Sequence, residues 1–222
     1  MNNRKLLNFF APLGLVAAIA TSPVVTAGNI TAELPSITVS HHGKEVVISR
    51  TDAEGSTIPK AYVKTDRHCP PFCIQPMTVV NGVETVGELE LLGYLKQIHR
   101  GDRKVMVIDS RTPDWIVRGT IPGSVNVPWS KINLDHQGSF NLDIEAEGLD
   151  ETLEQFGVRI GEGERDFRNA KTLVLFCNGA WCPQSATNIK TLVRLGYPAY
   201  KLKWYRGGMQ DWVSLGLTTV NY

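Results

Sequence analysis

Between Glu84 and Gly216, short apolar runs alternate with longer stretches whose apolar residues recur every three or four positions. Val105-Met106-Val107-Ile108 and Leu173-Val174-Leu175-Phe176 are unbroken apolar runs, the pattern of strands covered on both faces. Ser124-Val125-Asn126-Val127 alternates and is stopped by Pro128, which predicts a shorter strand, and Ala199 to Trp204 predicts another. Val86, Leu89, Leu92, Leu95 and Ile98 fall on one helical face, and Thr85-Val86-Gly87-Glu88 matches a capping box at its start. Leu149 to Phe156 predicts a helix capped by Asp150, and Ser185 to Leu195 one terminated by Gly196. Gly207-Gly208 precedes a last helix that runs through Trp212 and stops at Gly216. Strands alternating with helices at this spacing imply an α/β fold with a mainly parallel central sheet, in which sites form at the carboxyl ends of strands.

Before Glu84 the pattern changes. Ile37-Thr38-Val39 and Val46-Val47-Ile48, with Gly43 in the turn between them, predict a β-hairpin, while Tyr62 to Met77 is proline-rich and loop-like. Residues 131 to 170 carry many Gly, Asp and Glu and are expected to form a surface excursion. At the start, Met1-Asn2-Asn3-Arg4-Lys5 is basic, Leu6 to Ala20 mostly apolar, and Val25-Thr26-Ala27 small enough for cleavage before Gly28. The expected organisation is a signal peptide over 1–27, an extension over 28–83 and an α/β domain over 84–222.

Composition is that of an ordinary globular protein, with 42% hydrophobic and 20% charged residues. Taking Arg4 and Lys5 from the 23 basic side chains leaves 21 against 22 acidic ones, so the exported chain is near neutral and nucleic acid is excluded as a partner class. After signal cleavage no stable membrane insertion is expected, and the chain is placed in the periplasm or outside the cell. Such a compartment tolerates disulfides, and the four cysteines fall into two local pairs, Cys69 with Cys73 and Cys177 with Cys182.

Cys177 ends an apolar strand and opens the loop Cys177-Asn178-Gly179-Ala180-Trp181-Cys182-Pro183-Gln184-Ser185 before a helix. Backbone N–H groups and the helix dipole at such a turn favour a thiolate, and Gly179 is expected to supply a positive φ. Asn178, Gly179, Ala180, Trp181, Gln184 and Ser185 are thus candidate substrate-binding residues of an active loop. Cys182 has three readings: a resolving thiol that attacks Cys177, the true nucleophile beside a Pro183 at the first helical position, or a structural half-cystine. Asp109 and Arg111, at the end of another strand, are expected to pair with each other or with backbone and hold loops. Cys69 and Cys73, with His68 beside them and His41-His42 elsewhere, have the side chains for a soft metal. A local disulfide is the preferred reading, and no metal or cofactor is expected.

Ile108-Asp109-Ser110-Arg111, Gly119-Thr120-Ile121-Pro122-Gly123-Ser124-Val125-Asn126-Val127-Pro128, the strand-ending Cys177, and Tyr205-Arg206-Gly207-Gly208-Met209 with Trp212 and Gly216 occur in that order. Together they resemble the successive signatures of the rhodanese family over about residues 84 to 220. The resemblance implies a three-layer rhodanese-like domain, helices flanking the sheet, whose cysteine takes sulfane sulfur from a donor as a persulfide and passes it on. It implies as partners a small sulfur-containing donor and a thiol or cyanide-like acceptor, with a redox protein as a further partner. Two positions depart from the family. Cys182 stands where many thiosulfate-using members place Arg or Lys, and the loop from Cys177 to Ser185 has no cation to meet a dianion. Thr120 replaces the usual histidine, which alters local hydrogen bonding. By the family's topology Arg206 is the best cation near the site. Two other classes remain beside a sulfurtransferase: a thiol-disulfide protein cycling Cys177 and Cys182, and a non-catalytic binding module on the same scaffold.

Overall fold

The computed structural model describes residues 27–51, 55–133 and 148–221. In chain order, β1 (Ala27–Gly28), the hairpin strands β2 (Ile37–His41) and β3 (Lys44–Ile48), and β4 (Arg50–Thr51) precede a 3-10 turn over Lys60–Tyr62. Then come β5 (Glu84–Val86), α1 (Glu88–His99), β6 (Val105–Asp109), α2 (Pro113–Ile116) and β7 (Val125–Asn126). After α3 (Leu149–Gln155), the short strands β8 (Arg159–Ile160) and β9 (Arg165–Asp166) pair with each other. β10 (Thr172–Phe176), α4 (Gln184–Arg194), β11 (Leu202–Tyr205) and α5 (Gly208–Ser214) complete the chain. The expected signal segment lies outside the described residues apart from the Ala27 backbone, as does part of the 131–170 excursion.

The central sheet has the order β5-β11-β10-β6-β7 and every pairing in it is parallel. β10 is the middle strand, and Leu173, Val174, Leu175 and Phe176 are all fully buried, which is why its sequence does not alternate. Its side chains feed two core layers. Val174 and Phe176 join Val107, the α1 residues Leu91, Leu92 and Leu95, and Met209, Trp212 and Val213 of α5 on one face. Leu173 and Leu175 join Ile108, Leu153 of α3, and Ala186, Ile189 and Leu192 of α4 on the other. Helices therefore flank a mainly parallel sheet in three layers.

The hairpin forms as its sequence predicts, with His42 and Gly43 both at positive φ in a two-residue turn. Ile37, Val39 and Ile48 pack into the α1/α5 layer beside Tyr62. Further along, the Thr51 N–H donates to the Gly216 carbonyl at 2.8 Å, and Ser49 and Thr218 bond each other.

Four local expectations differ from the structure. Thr85 lies in β5, paired with Trp204, and the α1 start is closed instead by Glu90 Oε2, which accepts the Gly87 N–H at 3.0 Å. The buried face of α1 consequently runs through Leu91, Leu92 and Leu95, while Leu89 is 53% exposed. Gly148, in a left-handed conformation, precedes α3, and Asp150 sits inside its first turn, bonded to Arg165. Residues 149–158 are not mere surface, because Leu149, Leu153, Phe156 and Val158 are buried. Finally, Ala199–Lys201 is a 3-10 turn closed by the Lys201 N–H on the Pro198 carbonyl, so the last strand starts only at Leu202.

Candidate active site

Beyond Phe176 the chain leaves the middle of the sheet and folds over the start of α5. The Cys177 carbonyl accepts the Met209 N–H at 3.0 Å, and the Asn178 carbonyl accepts the Gln210 N–H at 2.9 Å. This approach is possible because residue 208 is glycine. Its φ is +58°, and a Cβ there would overlap the Cys177 carbonyl and lie 2.9 Å from the Gly179 nitrogen. Gly179 itself does not take the positive φ expected of it. Its role is spatial: a Cβ would come within 2.9 Å of Gln210 Oε1 and 3.1 Å of Trp181 Nε1. The Cys182 N–H then donates to the Gly179 carbonyl at 2.9 Å and turns the chain toward α4.

The turn brings the two thiols together. Cys177 and Cys182 are disulfide-bonded with Cα atoms 6.2 Å apart, and each residue is 2% exposed. Pro183 occupies the cap position and not the first helical one, and α4 begins at Gln184, one place before the Ser185 expected from the sequence. The Gln184 amide oxygen lies 3.2 Å from the Cys177 sulfur and 3.6 Å from that of Cys182, within reach of either S–H once the bond is opened. Asn178 is buried and its Oδ1 has no partner among the described residues. The Ser185 hydroxyl accepts the Trp204 indole N–H at 3.1 Å and so serves the core. Trp181 is half-buried and donates its own indole N–H to Gln210 Oε1 at 2.7 Å.

Asp109 and Arg111 pair at the neighbouring strand end, with side chains 1% and 0% exposed. Arg111 Nε and Nη2 both reach the carboxylate, Nη2 also meets the Gly119 carbonyl at 2.8 Å, and Nη1 donates to Tyr62 Oη at 3.0 Å. Burial opposes the guanidinium charge, but the hydrogen bonds and charge of Asp109 outweigh it and hold the Arg111 pKa above its ordinary value. Thr120 donates to Asp109 Oδ2 at 2.6 Å. These residues brace the loops and do not point a charge at the sulfurs.

Arg206 is engaged by the backbone. Its Nε and Nη2 both donate to the Gln75 carbonyl, at 3.1 and 2.8 Å, and the Gln75 N–H donates to the Ala180 carbonyl at 2.8 Å. The loop that carries the Cys69–Cys73 disulfide is thereby fastened to the rim of the active loop. Sequence reasoning missed the residues that do this. Phe72 meets Trp181 edge to face with centroids 5.7 Å apart, and the Arg67 guanidinium lies 3.4 Å over the Trp181 ring. Burial pushes the Arg67 pKa down, and its Nε has no partner among the described residues. The only advance signal was composition: an aromatic and a cation in a Cys/Pro-rich segment with no periodicity. His41 accepts the Gly123 N–H at Nδ1, far in sequence from His68, and no group of three or more His, Cys, Asp or Glu side chains among the described residues is placed to hold a metal ion.

The chain matches the model of the rhodanese-like domain over residues 92–215. No curated protein matches it. Among solved structures, a rhodanese-related protein from Thermoplasma volcanium is 21% identical over 62% of this chain and 97% of that one, with a TM-score of 0.36. The human single-domain sulfurtransferase TSTD1 is 20% identical over 60% and 96%, with a TM-score of 0.37. A protein of unknown function from Rhodopseudomonas palustris, described as a possible tyrosine phosphatase, is 21% identical over 64% and 88%, with a TM-score of 0.41. With more than half of its length inside the domain model, and the strand-end cysteine loop within that span, the chain belongs to the rhodanese-like domain family.

Proposed function

We propose that the protein is a sulfurtransferase of an extracytoplasmic compartment, in which Cys177 carries sulfane sulfur as a persulfide from a small donor to a thiophilic acceptor. The observation that carries this reading is the placement of Cys177. It follows the central strand, its carbonyl accepts the Met209 N–H at the start of α5, and its sulfur lies at the start of α4, 3.2 Å from the amide oxygen of Gln184, the first residue of that helix. Helix N-termini favour the thiolate that must attack.

Transfer begins on the reduced site. The Cys177 thiolate attacks the outer sulfur of the donor, a new S–S bond forms, and the rest of the donor leaves with the electron pair of the broken bond. A cyanide-like or thiol acceptor then attacks that outer sulfur and Cys177 departs as thiolate. Cys182 offers a second exit: its thiolate attacks the Cys177 sulfur, hydrosulfide leaves, and the Cys177–Cys182 disulfide closes. The bond between these two sulfurs favours a resolving role for Cys182. Arg206 is held by Gln75 and Arg67 lies on Trp181, so a donor of low charge, such as the persulfide of a small organic thiol, suits this site better than a dianion. Near-neutral net charge, a signal-like start and two disulfides support an exported protein.

The test is intact mass after reduction and exposure to a persulfide donor, with thiocyanate formation from cyanide as the activity. A gain of one sulfur atom is expected in the wild type and in Cys182→Ser, and neither the gain nor thiocyanate in Cys177→Ser. Retention of both in Cys177→Ser overturns the assignment. The disulfide also favours a second reading, a thiol-disulfide protein with no sulfur cargo. Reversible closure of the Cys177–Cys182 bond in the wild type, with no sulfur gain in Cys182→Ser and no thiocyanate from either protein, would select it.

A further inference from the structure

The extension sets a second disulfide against the rim of the site, and the two bonds differ in access. Cys177 and Cys182 are each 2% exposed, whereas Cys69 is exposed and Cys73 half-buried. Two contacts join the pairs. Phe72, next to Cys73, meets Trp181, next to Cys182, and the Gln75 N–H bonds the Ala180 carbonyl at 2.8 Å. Cys73 is thus one residue from the first contact and two from the second, and so is Cys182. Phe72, Ile74 and Met77 are 40, 83 and 63% exposed, an apolar ridge beside the outer bond.

We propose that Cys69–Cys73 is a relay that passes reducing equivalents from an external protein dithiol to the Cys177–Cys182 bond. This rests on the reading above, in which each discharge by Cys182 leaves the inner disulfide closed. A protein thiolate must approach a disulfide along the S–S axis, and the buried inner bond denies it that approach. The outer bond is open to it. The external dithiol exchanges with Cys69–Cys73, becoming a disulfide itself and leaving two thiols. The Cys73 thiolate attacks the Cys182 sulfur, Cys73–Cys182 forms, and Cys177 leaves as thiolate. The Cys69 thiolate then attacks the Cys73 sulfur, which restores Cys69–Cys73 and releases Cys182. Two electrons and two protons have moved from the external dithiol to the inner pair, and no other oxidant or reductant is consumed.

The experiment uses the oxidised full chain, reduced thioredoxin as the protein dithiol, and a small phosphine reductant as the comparison. Opening of the inner bond is followed by alkylation and peptide mapping. In Cys69→Ala/Cys73→Ala, opening by thioredoxin is expected to slow by at least about tenfold, while opening by the phosphine is unchanged. Equal rates with thioredoxin in the two proteins overturn the relay. A second variant, Cys69→Ala/Cys177→Ala, leaves only Cys73 and Cys182, and mild oxidation is expected to join them; failure to form that crosslink also overturns it. Should the first variant change the rate of opening by the phosphine, so that access to the inner bond itself has altered, the crosslink decides alone. The persulfide adduct on Cys177 needs neither Cys69 nor Cys73, so loss of the relay with the adduct retained leaves the sulfurtransferase reading standing.

Discussion

Replacing Tyr62 by phenylalanine tests how firmly the extension is tied to the frame of the site, because it deletes one hydroxyl and keeps the ring. That hydroxyl accepts a proton of Arg111 Nη1 at 3.0 Å, on a guanidinium that is 0% exposed. Without it a charged donor stays buried with one N–H unmatched, and hydrogen bonds of charged groups contribute about 1.5–3 kcal/mol. Asp109 and Gly119 still hold the other nitrogens, so the expected loss is about 2 kcal/mol, toward the lower part of that range. For a chain of 222 residues this corresponds to a fall in Tm of roughly 4–8 °C. Tyr197→Phe is the internal comparison. Its phenol donates to the Lys171 backbone carbonyl at 2.6 Å, a neutral pair for which about 1 kcal/mol is expected. Urea unfolding followed by tryptophan fluorescence, with disulfides intact, measures both. Equal losses for the two substitutions, or a Tyr62→Phe protein as stable as wild type, refute the inference that the extension completes the Arg111 site.

Gly208→Ala forces a side chain into the Cys177 carbonyl at a positive φ and should cost at least about 2 kcal/mol. In the reduced protein Cys177 should also alkylate faster, and an unchanged Tm and alkylation rate would show that α5 does not hold the loop. Arg206→Gln removes two bonds to the Gln75 carbonyl, so limited proteolysis should cut residues 62–77 faster than in wild type; equal rates mean the clamp is dispensable. His41 has its pKa lowered by burial and by the neighbouring His42, and its Nδ1 accepts the Gly123 N–H. The unfolded chain takes up a proton there near pH 6.5 that the fold resists, so stability is full above that value and falls as pH drops toward the folded-state pKa. His41→Asn, which keeps an acceptor, should flatten urea midpoints over that window relative to wild type, and an identical slope would count against this origin.

What could be read ahead of the structure was what is local. β6 and β10 show themselves as apolar runs because both faces are covered, and the cysteine loop is legible because strand, turn and helix follow one another within a dozen positions. The errors arose where a distant partner decides. Thr85 has the composition of a cap, yet parallel pairing with Trp204 draws it into β5 and moves the helix start. Asp150 looks like a cap, yet Arg165 from a later strand claims its carboxylate while glycine supplies the turn. Gly179 suggests conformational freedom, yet Gln210, beyond the next helix and strand, sets its requirement as space. Arg67, Phe72 and Gln75 were opaque for the same reason: their partners at 180 and 181 lie more than a hundred residues away, and no period in their own segment points there.

The Asp109–Arg111 pair explains why an extension with so little regular structure belongs to the working unit. Asp109 pairs in register with Phe176, one residue before Cys177, so its position is coupled through the sheet to the start of the active loop. Where the family places histidine, Thr120 donates to the Asp109 carboxylate, and Asn126 bonds the carbonyls of both Asp109 and Arg111. That leaves one arm of the guanidinium, which the α/β unit does not fill and Tyr62 does. The same extension supplies Ile37, Val39 and Ile48 to the layer that covers α1 and α5. Removing it would open an apolar face and leave one arm of a buried guanidinium without its partner, the second alone costing about 2 kcal/mol against a total stability of about 5–15 kcal/mol. The extension is therefore bound to the fold of the cysteine loop by the same contacts that bring Phe72 and Cys73 to its rim.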